Sequence, residues 1–206
     1  MFQAFEREGF TVVERVVSDS ECEVLIDSLP QIKASGSRTL LALAPFRRLA
    51  ESMREGVLFQ HLNGLVAVEC ILFRKSSEHN WAVRLHRDAV LPVQGSGAWP
   101  VSGTKEGMEC AKPPRVFMDL CVVVRVHLDG APFEDISVVP GSHLDAQKHD
   151  RSLARPVTVP KGGALLMRPT LTHASSKLEA GRQRRVLHFV FAPKTIPQGY
   201  AWYDAA

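Results

Sequence analysis

The chain changes its hydrophobic rhythm near residue 65. Before that point, after a loosely alternating, valine-rich stretch at 10–17, Ser18-Asp19-Ser20-Glu21 offers a capping box, in which a serine and a glutamate three residues on satisfy each other's backbone amides. Cys22, Leu25, Ile26 and Leu29 then recur at helical spacing, which predicts a helix to about Leu29, stopped by Pro30. Proline is tolerated in a first helical turn, so a second helix opens at Pro45, and a short third runs over 59–62.

From residue 66 onward, short runs of Val, Leu and Phe alternate with Gly, Pro and Asp clusters, which is strand-and-turn text. Strands are predicted at 66–75, 82–87, 118–128, 136–139, 156–159, 164–168 and 184–192. Residues 94–114 carry prolines and glycines with few apolar anchors and predict a long loop, a candidate lid. The sum is an all-β core with helical additions, arranged as a barrel or sandwich in one domain over 1–206.

Period two sorts the last strand into two faces. Arg184 shares one with Val186, His188 and Val190, and Arg185 shares the other with Leu187, Phe189 and Phe191, so only one arginine can face a barrel interior. Arg125 interrupts an apolar strand, where a buried charge is costly unless paired. Either it faces a cavity or it lies on a solvated outer face, opposite Val124 and Val126. Lys75 likewise sits at a cavity mouth or simply ends its strand.

Composition narrows the partners. With 206 residues, 45% of them hydrophobic, the chain can bury one sizeable core. A formal net charge of +3, without a concentrated basic stripe, argues against nucleic acid or membrane surfaces. Charges interleave with apolar residues over 1–8, so no secretory signal is expected. Cys22, Cys70, Cys110 and Cys121 lack CxxC spacing and read as reduced thiols, which fits a cytoplasmic protein.

Against this background, His86-Arg87-Asp88 stands out. Residues at i and i+2 of a strand point to one face, so an imidazole and a carboxylate can hold one metal from adjacent corners, and a distant His173 can complete the set. Two His and one carboxylate leave three positions open, the arrangement that non-haem Fe(II) oxygenases need for cosubstrate and O₂. Eleven residues beyond His173 stands Arg184, whose guanidinium fork suits a carboxylate.

Phe73-Arg74-Lys75, Asn80-Trp81, His86-Arg87-Asp88, the run from Arg125 to Asp129, Val139-Pro140-Gly141-Ser142-His143 and His173-Ala174-Ser175-Ser176 resemble, in that order, the phytanoyl-CoA dioxygenase family of Fe(II)/2-oxoglutarate oxygenases. The resemblance spans about residues 5–192. It implies a double-stranded β-helix, the cupin-like jelly roll, with N-terminal helices packed on one sheet. It also implies iron held by His86, Asp88 and His173, with 2-oxoglutarate and O₂ as cosubstrates. Hydroxylation of an unactivated C–H bond of a small molecule, with release of succinate and CO₂, would follow. Desaturation, ring closure or a non-catalytic binding barrel are the alternatives.

The family's spacing favours Arg184 over Arg185 for the distal carboxylate of 2-oxoglutarate. Ser175 fits a position where a hydroxyl helps hold that carboxylate or, equally, is a turn serine. Arg125 is a further candidate for the cosubstrate. Lys75, Arg84 and Trp99 are candidates for substrate contact, Trp99 being a surface anchor in the alternative. His143 reads as structural, and His127 and His188 as packed or supporting side chains. His61, His79 and His149 carry no signal. Three departures from the family concern substrate choice: Arg87 where glutamine is usual, no Asn-Gly at 134–137, and no asparagine after the distal histidine motif. Asp88 is retained, which favours hydroxylation over halogenation. Substrate identity and oligomeric state are not encoded legibly.

Overall fold

Ser18 opens its helix as the capping box predicts. Its hydroxyl oxygen accepts from the Glu21 amide at 3.3 Å, and the Glu21 carboxylate accepts from the Ser18 amide at 2.7 Å. The computed structural model describes residues 2–31, 34–129, 136–145 and 150–206; His149 and the Glu134-Asp135 pair lie outside the described residues. Its helices are α1 (Phe2–Glu8), α2 (Asp19–Asp27), α3 (Ala44–Glu55), α4 (Phe59–Leu62) and α5 (Arg115–Met118). The first strands are β1 (Phe10–Val13), β2 (Gly36–Ser37), β3 (Leu65–Lys75), β4 (Val83–His86), β5 (Leu91–Gly95), β6 (Val101–Lys105) and β7 (Met108–Ala111). They continue as β8 (Val122–His127), β9 (Ile136–Val138), β10 (Arg155–Val157), β11 (Ala164–Met167), β12 (His173–Ser175), β13 (Arg184–Pro193) and β14 (Tyr200–Trp202).

A major sheet of order β1-β11-β8-β13-β3-β2 faces a minor one of order β10-β9-β12-β4. Alternation within β8 shows how the layers are built. Val122, Val124 and Val126 join Leu25, Phe46, Leu49 and Met53 in a core beneath the helices. Val123 points the other way, into a second core with Ile136, Val138, Leu165 and Met167 between the sheets. The result is the expected jelly roll with helices on one sheet. Its inward face is apolar at one end and, around Arg125, polar at the other.

The loop expected at 94–114 is instead ordered sheet. Strands β5, β6 and β7 pair with the C-terminal β14 in the order β14-β5-β7-β6. The tip between β6 and β7 is Glu106-Gly107, both at positive φ (49° and 81°), the handedness that a two-residue hairpin turn demands. All five residues of β6 are exposed, so the strand carries none of the alternation that marks a half-buried one. Pairing, not burial, defines it. The Glu106 carboxylate then accepts from the Arg38 amide (2.8 Å) and the Ser37 hydroxyl (3.0 Å), tying this hairpin to β2. Gly36 allows β2 to lie that close to β3: a Cβ there would stand 2.0 Å from the Leu72 carbonyl oxygen. A second correction concerns 118–128, where Arg115–Met118 is a helical turn and the strand begins at Val122.

The four cysteines are buried and unbridged. No helix among the described residues is long and apolar enough to cross a membrane.

Candidate metal centre

Strands β4 and β12 lie side by side in the minor sheet, and their register sets His86 directly opposite His173. The two rings stand 4.2 Å apart between centroids. Asp88 follows β4 by two residues, its amide fixed on the Pro169 carbonyl at 2.9 Å. One ligand atom from each of His86, Asp88 and His173 falls within 4.8 Å of the others.

The histidines are presented in the tautomer a metal requires. His86 Nδ1 lies 2.9 Å from the Arg84 carbonyl and His173 Nδ1 lies 3.0 Å from the Leu171 carbonyl. A carbonyl only accepts, so each Nδ1 carries the proton and each Nε2 keeps its lone pair for the shared space. Burial pushes the His173 imidazole down to about 4, so it is neutral near pH 7. Burial opposes the charge of Asp88, but His173, His188, His86 and Arg125 around it outweigh that, and its carboxyl stays below the ordinary value. Two imidazole lone pairs and one carboxylate therefore converge, a donor set that fits a first-row divalent metal.

The space they face is a cavity of about 420 Å³. Its floor is the inward face of the major sheet: Glu69, Ile71, Phe73 and Lys75 from β3, Val123 and Arg125 from β8, Arg184, His188 and Val190 from β13. Val83, His86, His173 and Ser175 supply the opposite wall, and Arg38, Trp81 and Lys105 also line it.

The strand alternation decides between the two arginines. Arg184 is buried, pairs in register with Lys75 and lines the cavity. Arg185, on the outer face, forms a fork on Asp129 at 2.5 Å. Burial, reinforced by the nearby Arg125 charge, pushes the Arg184 guanidinium down to about 9. Lys75 donates to the Ser175 hydroxyl at 2.6 Å and to the Ser176 carbonyl, with its ammonium 5.3 Å from the Trp81 ring centre. Burial, then Arg184 and Arg125, bring it down to about 7. Arg125 faces inward, donating to His188 Nδ1 at 3.0 Å.

Two candidates lie elsewhere. Between β12 and β4 the pairing slips by one residue, so that Val83 rather than Arg84 stands opposite Ser175. A one-residue slip exchanges faces, and Arg84 consequently lines an outer groove with Leu85, Ala174 and Lys177. Trp99 neither faces the cavity nor anchors the surface. It is buried, stacked on Tyr200 and tilted against Phe117, and the Tyr200 hydroxyl donates to its carbonyl at 2.9 Å.

Sequence reasoning overlooked Glu69, buried in the cavity wall and paired with Arg38 at 2.7 Å. A single carboxylate inside the apolar run of 65–72 was the available signal, the same one that exposed Arg125. Arg87, the departure from the expected glutamine, turns its guanidinium to Thr172 Oγ1 (3.0 Å) and the carbonyls of Ser142 (2.8 Å) and Asp145 (2.7 Å). It thereby braces the segment before His173 against the one holding His86 and Asp88. His143 contacts the Glu6 carbonyl at 2.9 Å, away from the cavity.

No protein-family model and no curated protein sequence matches the chain. Solved structures do. The non-haem α-ketoglutarate-dependent epimerase SnoN from nogalamycin biosynthesis aligns with a TM-score of 0.67 at 18% identity, over 94% of this chain and 81% of that one. HygX from Streptomyces hygroscopicus, with nickel, 2-oxoglutarate and hygromycin B bound, gives 0.66 at 18% identity over 99% of this chain and 96% of its own. The non-haem α-ketoglutarate-dependent carbocyclase SnoK from nogalamycin biosynthesis gives 0.66 at 15% identity, over 92% and 81%. At such identities the likeness establishes a shared architecture; no family model supports the narrower resemblance to phytanoyl-CoA dioxygenases.

Proposed function

We propose that this chain is a non-haem Fe(II)- and 2-oxoglutarate-dependent oxygenase that hydroxylates a small molecule. The observation that carries the reading is the convergence of His86 Nε2, His173 Nε2 and the Asp88 carboxylate at one end of a cavity whose floor holds Arg184. Neighbouring structures with iron or with nickel and 2-oxoglutarate bound support the choice of cofactors. When bound, iron and 2-oxoglutarate supply O₂-dependent oxidation of an unactivated C–H bond, with succinate and CO₂ as coproducts.

The protein's own residues do the rest. His86, Asp88 and His173 hold the metal, the two backbone carbonyls behind the imidazoles keeping their Nε2 lone pairs turned inward. Arg184 would receive the distal carboxylate of the cosubstrate, with Lys75 beside it on β3 and Ser175 facing it from β12 across the cavity. Arg125 adds positive charge to the same floor. Docking of Glu106 on β2 holds the hairpin whose Lys105 lines the cavity.

Arg38, Lys75, Lys105, Arg125 and Arg184 bring positive charge to the cavity wall, while among the described residues that line it Glu69 and Asp88 are the carboxylates. Once a divalent metal and a dicarboxylate offset one another, the lining remains positive. A substrate bearing a carboxylate or phosphate fits it best.

His86→Ala and Asp88→Ala should each abolish Fe(II)-dependent succinate formation and oxygen uptake with 2-oxoglutarate. A variant that turns over as the parent does would refute the assignment. Addition of one oxygen atom to the product, read by mass, separates hydroxylation from desaturation or ring closure. Carboxylate- or phosphate-bearing compounds should stimulate succinate release above the uncoupled rate, whereas their neutral esters should not.

A further inference from the structure

Asp88 presents its two oxygens in different directions. Oδ1 faces His86 Nε2 at 3.7 Å, and Oδ2 faces His188 Nε2, also at 3.7 Å. Oδ2 is buried and has no hydrogen-bond partner among the described residues. A buried carboxylate oxygen in that condition is costly, and a donor aimed at it is the usual remedy.

The ring turned towards Oδ2 is that of His188, and its neighbour settles which nitrogen carries the proton. β13 and β8 pair His188 directly with Arg125, whose Nη1 lies 3.0 Å from His188 Nδ1. A guanidinium has no lone pair to offer, so Nδ1 must accept and the ring proton must sit on Nε2, the atom turned towards Asp88. Phe73 holds both partners in place, with its ring 5.5 Å from the His188 ring and 5.5 Å from the Arg125 guanidinium carbon. His188 itself is buried and lies outside the cluster that could hold a metal.

We propose that His188 is a positioning residue that donates Nε2–H to Asp88 Oδ2, reserving Oδ1 for the metal, and that Arg125 fixes the tautomer which makes this possible. The inference rests on the reading of His86, Asp88 and His173 as metal ligands. It gives Arg125 a function distinct from cosubstrate binding: it orders the metal site before any cosubstrate arrives. It also explains why a third imidazole beside the cluster leaves coordination positions open, since its facing nitrogen carries a proton and not a lone pair.

The test is titration of the apoprotein with Co(II) alone, without 2-oxoglutarate, following visible absorption. His188→Phe should weaken Co(II) binding by about 10–100-fold and change the spectrum of the bound ion, with an apoprotein melting temperature no lower than the parent's. His188→Gln, whose amide can accept from Arg125 and donate to Asp88, should restore affinity to within about threefold of the parent, a span of well under 1 kcal/mol. Arg125→Met should weaken binding in the parent but have no further effect in the His188→Phe background. Should the phenylalanine variant not fold, His188→Asn, too short to span both partners, replaces it. Parental affinity and spectrum in His188→Phe, failure of glutamine to rescue, or additive loss in the double variant would overturn the relay. If the parent binds no Co(II), or Asp88→Ala binds it equally well, the ligand assignment itself fails.

Discussion

Arg184 and Arg185 are adjacent, equally charged and fated differently by strand alternation. Arg184 lines the cavity, and Arg185 spends its fork on Asp129 outside it. Arg184→Ala should therefore weaken 2-oxoglutarate binding by about 10–100-fold, the worth of a charge-assisted pair of hydrogen bonds, while Arg185→Ala leaves it unchanged. Calorimetric titration of the metal-loaded protein reads this, and the opposite pattern would mean that the register is wrong. Lys75 makes a second prediction at this scale. The titratable groups nearest to it are Arg184 and Arg125, which stay charged, while Ser175, the Ser176 carbonyl and Trp81 do not titrate. Its ammonium is charged below about 7 and neutral above. A dicarboxylate gains from that charge, so affinity for 2-oxoglutarate should fall as pH rises through about 7, and Lys75→Met should flatten the profile. At this scale the side of β13 on which Arg184 lies was legible because strand alternation is a local property. Arg84 was misjudged because the one-residue slip between β12 and β4 is a property of the pair.

Elements show where local text stops informing. The capped helix α2 follows from its helical periodicity, with Cys22 and Leu25 buried, and the long strands β3 and β13 follow from nearly continuous apolar runs buried on both faces. Strand β6 buries nothing and owes its order to hydrogen bonds with β7, so no hydrophobic pattern could announce it. Glu106-Gly107 was the one available cue, a two-residue turn ending in glycine. The brace from Arg87 belongs to this scale too, because it joins the loop after β4 to the segments before β12 and after β9. Arg87→Leu should leave His86, Asp88 and His173 in the chain and yet weaken Co(II) binding about 10-fold or more, as loss of contacts that support a metal site generally does. Unchanged metal affinity in that variant would reduce the brace to a surface tie.

In the whole molecule, helices cover one face of the major sheet, the minor sheet covers the other, and a third sheet extends from the cavity rim to the C-terminal strand. Trp99 belongs to this third unit, packed with Phe117, Tyr200 and Trp202. Trp99→Ala should cost about 3–5 kcal/mol of stability by opening a cavity there. Denaturant unfolding measures that loss. The folded variant's affinity for Co(II) should stay parental, and a selective loss of metal binding would return Trp99 to the site.

The amino-acid sequence by itself determined the kinds of element, the residue types that can ligate a metal, and which of two arginines shares a face with His188, because these depend on neighbours within a few residues. Tertiary structure alone decided that His173 stands opposite His86, that the segment at 94–114 becomes sheet, and that Asp88, from the loop after β4, lines up with His188 on β13 and Arg125 on β8. The reason is physical: such contacts arise from strand register between segments distant in the chain, and register is fixed by the packing of whole faces rather than by any local pattern.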